Sequence, residues 1–394
     1  MAGVFAFPAL LPSFIVEWGL SKTEAGWIAG LYFAAYAITA PPVLALTDRV
    51  DARYVYLGGA LLAAAASSGF ALFADGFWSA LLFRGLAGAS LAATYMPGLR
   101  VLMDRYQGPQ PSRALSLYTS SFSLGTALSF LLVGEMAAAA GWRAAFAATA
   151  AAALLAAAVP LLVTRVTPEP PLAGSRRLLD FRPVLANRPA LAYVLGYGAH
   201  CWELFTLRSW MVAFLVFSLS LQTDTTSGGE SGWLSPTVVA SLSGLVTMAA
   251  SIAGNELCVR YGRRRMITIM MLVSAAAAVV IGFTAPLAYA FVVTLILVYS
   301  CLVHLDSASL TAGTVEAAAV GQRGATLAVH SFVGFACAGL GPLVFGVVLD
   351  VAGSGTTTVS WGLGFASLAT VGVLGPLALR IGLRPGEDVR THAG

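Results

Sequence analysis

An apolar run from Leu191 to Phe217 carries three ionisable groups, His200, Glu203 and Arg208, within the stretch YGAHCWELFTLRSW. Histidine and a buried glutamate can each exchange a proton near neutral pH, whereas a guanidinium stays charged and offers a planar fork of donors suited to a carboxylate or small oxyanion. Read as a helix entered at Leu191, the run places His200 about 14 Å deep and Arg208 about 26 Å deep. On the helical wheel Glu203 falls about 60° to one side of His200 and Arg208 about 80° to the other, so the three define one polar sector. Glu203 and Arg208, about 140° apart, do not readily neutralise each other. Arg208 therefore needs a partner on another helix or on an anion.

Arg84 lies in a second apolar run, about 10 Å from the same outer face as Arg208. Two arginines from separate parts of the chain then converge on one cavity. This reading predicts that Arg84 and Arg208 bind a small anion, with His330 and Trp202 lining the site, and that Glu203 or His200 carries a coupling proton. The competing structural reading has Glu135 neutralising Arg84 or Arg143, and His200 and Glu203 forming a hydrogen-bonded interhelical pair. His304 and Asp306 fall near the inner end of a later run, where Asp306 is expected to cap a helix or bind a basic loop.

The surroundings of these residues are those of a membrane protein. Of 394 residues, 58% are hydrophobic and 10% charged, against about 25% charged in a soluble domain. Charge-free windows such as 54–73, 144–163 and 287–303 reach or approach the roughly 20 residues that cross a bilayer as a helix. The 41 glycines, many alanines and short connections favour helices over a barrel. Spans are expected near 2–16, 26–46, 54–73, 77–102, 114–137, 144–163, 191–217, 235–257, 266–284, 287–309, 325–349 and 357–379. The fold class is thus an all-α polytopic membrane protein with twelve transmembrane helices. Arginines concentrate in alternate loops, while the opposite loops hold only Lys22 and Arg143. The positive-inside rule then puts both termini in the cytoplasm and the chain, multi-pass, in the cytoplasmic (inner) membrane. The net charge of +4 reflects this topology and gives no reason to expect nucleic-acid binding. The first span, 2–16, gives about 22 Å of helix against a core of roughly 30 Å, and is expected to be truncated at its N-terminus.

The Pro- and Arg-rich stretch 164–190 reads as a cytoplasmic linker between two six-helix bundles, 1–163 and 191–394. Three short matches relate the halves at nearly equal spacing. Arg113 with Ser121-Phe122 corresponds to Arg323 with Ser331-Phe332, LALTDRVDAR to NELCVRYGRRR, and LSKT at Leu20 to LSPT at Leu234.

On these residues the sequence resembles the major facilitator superfamily of secondary transporters, as a prokaryotic member. Asp48, Arg49 and Arg53 in the first loop copy are similar to the family's D-R-x-G-R-R-like motif, with Asp51 replacing the usual glycine. The second copy keeps Arg260, Gly262, Arg263 and Arg264 but has Val259 at the acidic position, leaving Glu256 as the nearby carboxylate. LLFRGLAGASLAA resembles a family pattern in helix four through Arg84 and Gly88, with Ala87 in place of glutamine. The resemblance implies two pseudo-symmetric six-helix bundles working by alternating access. It also implies a cytoplasmic gate in which Asp48 meets an arginine and the positive end of a neighbouring helix.

Other function classes fare worse. No H-E-x-x-H, G-x-S-x-G or paired metal-ligand spacing suggests an enzyme, a metal or a cofactor. Repeated polar rings, which a channel would show, are missing. The expected partners are a small-molecule solute, protons and the bilayer, with a monomer as the functional unit. The main alternative is proton-coupled export of drugs or hydrophobic cations, although helix five, LYTSSFSLGTALSFLLVGEM, lacks the G-x-x-x-G-P-x-x-G-G signature of such exporters. A non-transporting membrane receptor or scaffold ranks lower.

Overall fold

The structure, a computed structural model, describes residues 1–47, 49–105, 111–163, 181–222 and 234–383, with backbone alone at 111–117, 119 and 120. Every regular element among the described residues is helical. In chain order these are α1 (Ala6–Ala9), α2 (Leu11–Glu17), α3 (Lys22–Leu46), α4 (Ala52–Phe73), α5 (Phe77–Met103) and α6 (Pro111–Val163). There follow α7 (Arg182–Ala186), α8 (Arg188–Ser220), α9 (Pro236–Tyr261), α10 (Arg263–Ile281), α11 (Tyr289–His304) and α12 (Ser307–Ala317). The last three are α13 (Arg323–Val351), α14 (Thr358–Gly372) and α15 (Leu374–Gly382).

Local chemistry sets many of the boundaries. Ser21 and Glu24 form a reciprocal capping box at the start of α3, Asn187 caps α8, Ser235 caps α9, and Thr357 with Ser360 closes the start of α14. Between α9 and α10 the chain reverses at Gly262 alone, at φ 92°, a conformation that a side chain disfavours. This gives a steric reason for glycine at that place in the second loop motif.

Nine helical segments among the described residues are long and apolar enough to cross a membrane. Twelve spans are expected from sequence, and the difference has three sources. Residues 1–17 break at Leu10 into two short helices. The segment 121–162 counts once, yet it leaves helical geometry at Gly141 (φ 84°). A straight helix of that length would be about 63 Å, twice the hydrocarbon core. The limb after the break, 142–163, joins Glu17 at its start, where Trp142 donates to that carboxylate, and Arg53 at its end, where the Leu161 carbonyl accepts. The third is α5, which is long enough but carries Arg84 and Arg100. Two later spans are also interrupted. The helix expected over 287–309 breaks at Leu305 and Asp306 and resumes as α12, and the one over 357–379 breaks at Val373.

Between the two parts of the chain, α3 packs against α13 and α6 against α9. The first contact is unusually close. A Cβ on Gly26 would lie 2.5 Å from the Pro342 carbonyl oxygen, and one on Gly30 would clash with the Gly339 carbonyl. Asp350, at the end of α13, fastens the same contact. Its carboxylate accepts from the backbone N–H groups of Lys22 (3.0 Å) and Thr23 (2.8 Å) and from the Thr23 hydroxyl (2.6 Å). A carboxylate from one half thus satisfies the free amides and the positive pole of the first turn of a helix in the other.

This capping predicts that Asp350→Ala removes about 1–2 kcal/mol of stability, read as a lower melting temperature of the purified protein, and that Asp350→Asn loses less because it keeps one acceptor. An unchanged melting temperature in Asp350→Ala would show that the contact holds nothing together.

Candidate functional site

The polar residues of α8 are almost completely buried, with Arg208 and Glu203 each 4% exposed and His200 2%. Each finds a different partner. Glu203 accepts from the Ser274 hydroxyl of α10 (2.6 Å) and the Tyr299 hydroxyl of α11 (2.8 Å). His200 Nδ1 lies 2.7 Å from Asp306 Oδ1, an ion-pair distance without hydrogen-bond alignment, and its Nε2 has no hydrogen-bond partner among the described residues. Arg208 donates through Nη2 to His304 Nε2 (2.9 Å), and its Cζ stands 5.6 Å from the centre of the Phe5 ring. Glu203 and Arg208 do not pair with each other.

The structure corrects the sequence reading of Asp306. Its side chain makes no capping hydrogen bond at the start of α12; instead it meets His200. The reason lies in the broken helix. Because α12 continues the span to Ala317, Asp306 sits at an interior break and meets His200 of α8.

Arg84, 1% exposed, is the other buried guanidinium. It donates to the carbonyl oxygens of Gly3 (3.3 Å) and Val4 (3.1 Å), and its Cζ lies 4.2 Å from the Tyr32 ring centre and 6.0 Å from that of Phe7. Its Nε has no partner among the described residues. Glu135 is exposed, and Arg143 lies over the Trp142 ring. Segment 3–7 therefore touches both arginines, Arg84 through two carbonyls and Phe7, Arg208 through Phe5. Neither guanidinium has a carboxylate partner among the described residues. Carbonyls, rings and a neutral imidazole satisfy some donors but leave the charge uncompensated.

His330 stacks on Tyr197 at 3.7 Å, with its ring nitrogens 3.1 Å from Thr314 Oγ1 and 3.4 Å from Thr311 Oγ1. Tyr197 also stacks on His200, which links these two histidines through one ring. Trp202 is buried, and its indole N–H has no partner among the described residues. Arg208, His304, His200 and Asp306 form one connected cluster, His330 joins it through Tyr197, Glu203 stands beside it on Ser274 and Tyr299, and Arg84 stands apart across segment 3–7.

At the opposite, arginine-rich end, Asp48 lies outside the described residues. Arg49 is exposed, and Arg53 donates to the Leu161 carbonyl. Glu256 pairs with Arg260 one turn along α9, both largely solvent-facing. Arg264 is half-buried in the first turn of α10. Two ion pairs unmarked by sequence reasoning join neighbouring helices here. Asp51, which also caps α4, accepts from Arg105 Nη2 on both carboxylate oxygens (3.0 and 2.9 Å), and Arg263 grips Glu316 in a two-nitrogen fork, Nη1 and Nη2 each donating to one carboxylate oxygen. The signs are exchanged between the halves: the acid opens α4 in the first, and the base opens α10 in the second. The partners of Arg208 and Glu203 were also missed. The available signal was the polar residues of the apolar runs: the hydroxyls of Ser274 and Tyr299, and His304, whose ionisable ring inside a membrane span warrants a functional reading.

A multi-pass helical membrane protein with a charged cluster buried between its helices has the architecture of a transporter. The model of the Major Facilitator Superfamily matches residues 1–297, and the chain belongs to that family. It is 25% identical over 273 residues to protein spinster homolog 1 of Homo sapiens, covering 66% of this chain and 51% of that protein, with the same figures for the Bos taurus protein. The chain therefore spans about half the length of the curated relatives it matches. Among solved structures, a bacterial homolog of the human lysosomal transporter Spinster, inward-facing and occupied, aligns with TM-score 0.73 at 17% identity, covering 97% of this chain and 91% of that one. The nucleoside transporter NupG aligns with TM-score 0.70 at 14% identity, covering 97% of this chain and 97% of that one. These two likenesses are of fold.

The contact of His200 with Asp306 is expected to be strongly coupled. Asp306→Ala, which strands a buried imidazole, should cost about 1–3 kcal/mol of stability, and His200→Leu with Asp306→Leu together should cost less than the two single changes summed. Additive losses in a double-mutant cycle of thermal melting would contradict the pairing.

Proposed function

We propose that this chain is a proton-coupled secondary transporter that moves a small organic or inorganic anion across the cytoplasmic membrane. It works by alternating access between two six-helix halves, 1–163 and 191–394, joined by the linker 164–190, with twelve spans and both termini cytoplasmic. The observation that carries the reading is the pair of buried guanidiniums, Arg84 and Arg208, each without a carboxylate partner among the described residues. An anion supplies the charge that the protein withholds. In this reading Arg84 and Arg208 bind the anion, Trp202 adds a free indole donor, and His330 lines the approach. Glu203 and His200 carry the proton. The cytoplasmic gate comprises Asp48, Arg49 and Arg53 with Glu256, Arg260, Gly262, Arg263 and Arg264, and the glycine-lined contact of α3 with α13 is the closed outer side. Fold neighbours that bind nucleosides or 5-aminolevulinic acid support a small-molecule solute as the class of cargo.

A second reading rests on Glu203, a buried carboxylate held by neutral donors alone, which could receive a cation for export. The two readings part on the arginines. Under the first, Arg208→Ala or Arg84→Ala weakens anion binding by about 10- to 100-fold, the loss of one charged hydrogen-bonding group, while the protein stays folded. Unchanged affinity in both variants would remove anion recognition from these residues. Glu203→Gln should still exchange substrate across the membrane but stop accumulating it under a pH gradient. Retained gradient-driven uptake would take the coupling proton away from Glu203.

A further inference from the structure

The contacts of His304 fix where its protons are. Nδ1 lies 2.8 Å from the Ser300 carbonyl oxygen and Nε2 lies 2.9 Å from Arg208 Nη2. A carbonyl oxygen only accepts, and a guanidinium only donates. Nδ1 therefore bears the ring hydrogen, and Nε2 offers its lone pair to Arg208. His304 is neutral for as long as Arg208 is docked on it. A second proton could enter only at Nε2, the atom that Arg208 occupies, and would set donor against donor and cation against cation.

The surrounding groups give that proton little other support. From α8, His304 faces Arg208 and the His200 ring, whose centre is 6.3 Å away. Asp306, at the start of α12, is engaged by His200, and Glu203 is engaged by Ser274 of α10 and Tyr299 of α11. Cys201 of α8 is within electrostatic reach of Arg208 and Asp306, Cys258 of α9 within reach of Asp306, and His330 of α13 within reach of His200.

We infer that Arg208 and a proton compete for Nε2 of His304, and that this competition couples anion binding to the entry of the proton assigned above to Glu203 and His200. The coupling rests on the reading of Arg208 as an anion-binding residue. An incoming anion draws the guanidinium onto itself, and the hydrogen bond from Nη2 to Nε2 breaks. The freed lone pair takes a proton from a hydronium ion, forming an N–H bond and leaving water. With a doubly charged anion the loaded site, Arg208, protonated His304 and cargo together, is neutral, whereas before loading it carries the single charge of Arg208, so loading removes an uncompensated charge from hydrocarbon. His304 acts through Arg208 as a positioning residue. By linkage, a proton that favours release of Arg208 also favours binding of the anion, and the reverse holds equally.

The chain has four histidines, so ring nitrogen-15 NMR of the purified full-length protein gives few signals, each assignable by a His→Gln variant. In the unsubstituted protein the His304 ring should show the neutral form with hydrogen on Nδ1, and should keep it from about pH 8 to pH 5. In Arg208→Gln the same ring should take up a second proton within that range. Hydrogen on Nε2 in the unsubstituted protein, or identical titration of the two proteins, would overturn the competition. In proteoliposomes His304→Gln, whose amide oxygen can still accept from Arg208 but cannot hold the proton, should keep exchange of whichever of succinate, phosphate or sulfate the unsubstituted protein carries, and should lose the accompanying internal acidification. Acidification that persists in His304→Gln would overturn the coupling. If Arg208→Ala leaves exchange of every probe unaltered, the anion reading fails, while the ring titration still decides the competition at His304.

Discussion

A guanidinium cannot shed its charge inside a membrane, and burying one among apolar helices costs at least about 2.5–3.5 kcal/mol. Much of the interior of this protein is arranged around two such charges. Arg84 turns to the carbonyls of Gly3 and Val4 and to the faces of Tyr32 and Phe7. Arg208 turns to a neutral imidazole and the edge of a phenylalanine cluster, where Phe5 stacks on Phe130. Both solutions satisfy hydrogen bonds without satisfying charge. The break at Leu10 and the hydrogen bond from the Phe5 amide to Ser129 hold segment 3–7 where it meets both arginines. That segment is therefore the element most directly tied to the state of the site.

The same electrostatic logic, at lower cost, joins the halves and closes the loops. Asp350 gives α13 a charged grip on the first turn of α3, beside glycines that let the two backbones approach. Under the alternating access proposed above, such a grip would open in one piece, since a few directional bonds at a helix end are lost together. At the arginine-rich end, the Asp51 and Arg105 pair and the Arg263 and Glu316 pair stiffen each half internally. Rigid halves with a separable seam are what rocking motion requires.

The sequence made the helices legible because hydrophobic length is the strongest signal a membrane imposes. The capped starts of α3, α8 and α9 follow from Ser21, Asn187 and Ser235, and the reversal at Gly262 follows from the glycine. Relations through space were illegible. Asp306 reads as a cap when its span is assumed to end near 309; the break at Leu305 and continuation to Ala317 turn it toward His200. Helical-wheel geometry sufficed to say that Glu203 and Arg208 would look in different directions, but not that Tyr299 and His304, one apolar run from another part of the chain, would receive them. The grip of Asp350 on Lys22 and Thr23 joins residues at the two ends of the chain, and only packing reveals it. The inward-pointing polar residues of α10 and α11 carried the missing signal, because ionisable and hydroxyl groups in such runs rarely lack a partner.

The most direct test of anion transport is internal pH in proteoliposomes holding the purified protein, followed while small carboxylates, inorganic anions and hydrophobic cations are added outside in turn, with protein-free vesicles as the baseline. The account predicts acidification above baseline with a particular anion, abolished by Arg208→Ala. Alkalinisation with organic cations, and no response to any anion, would contradict it and return Arg84 and Arg208 to a structural role.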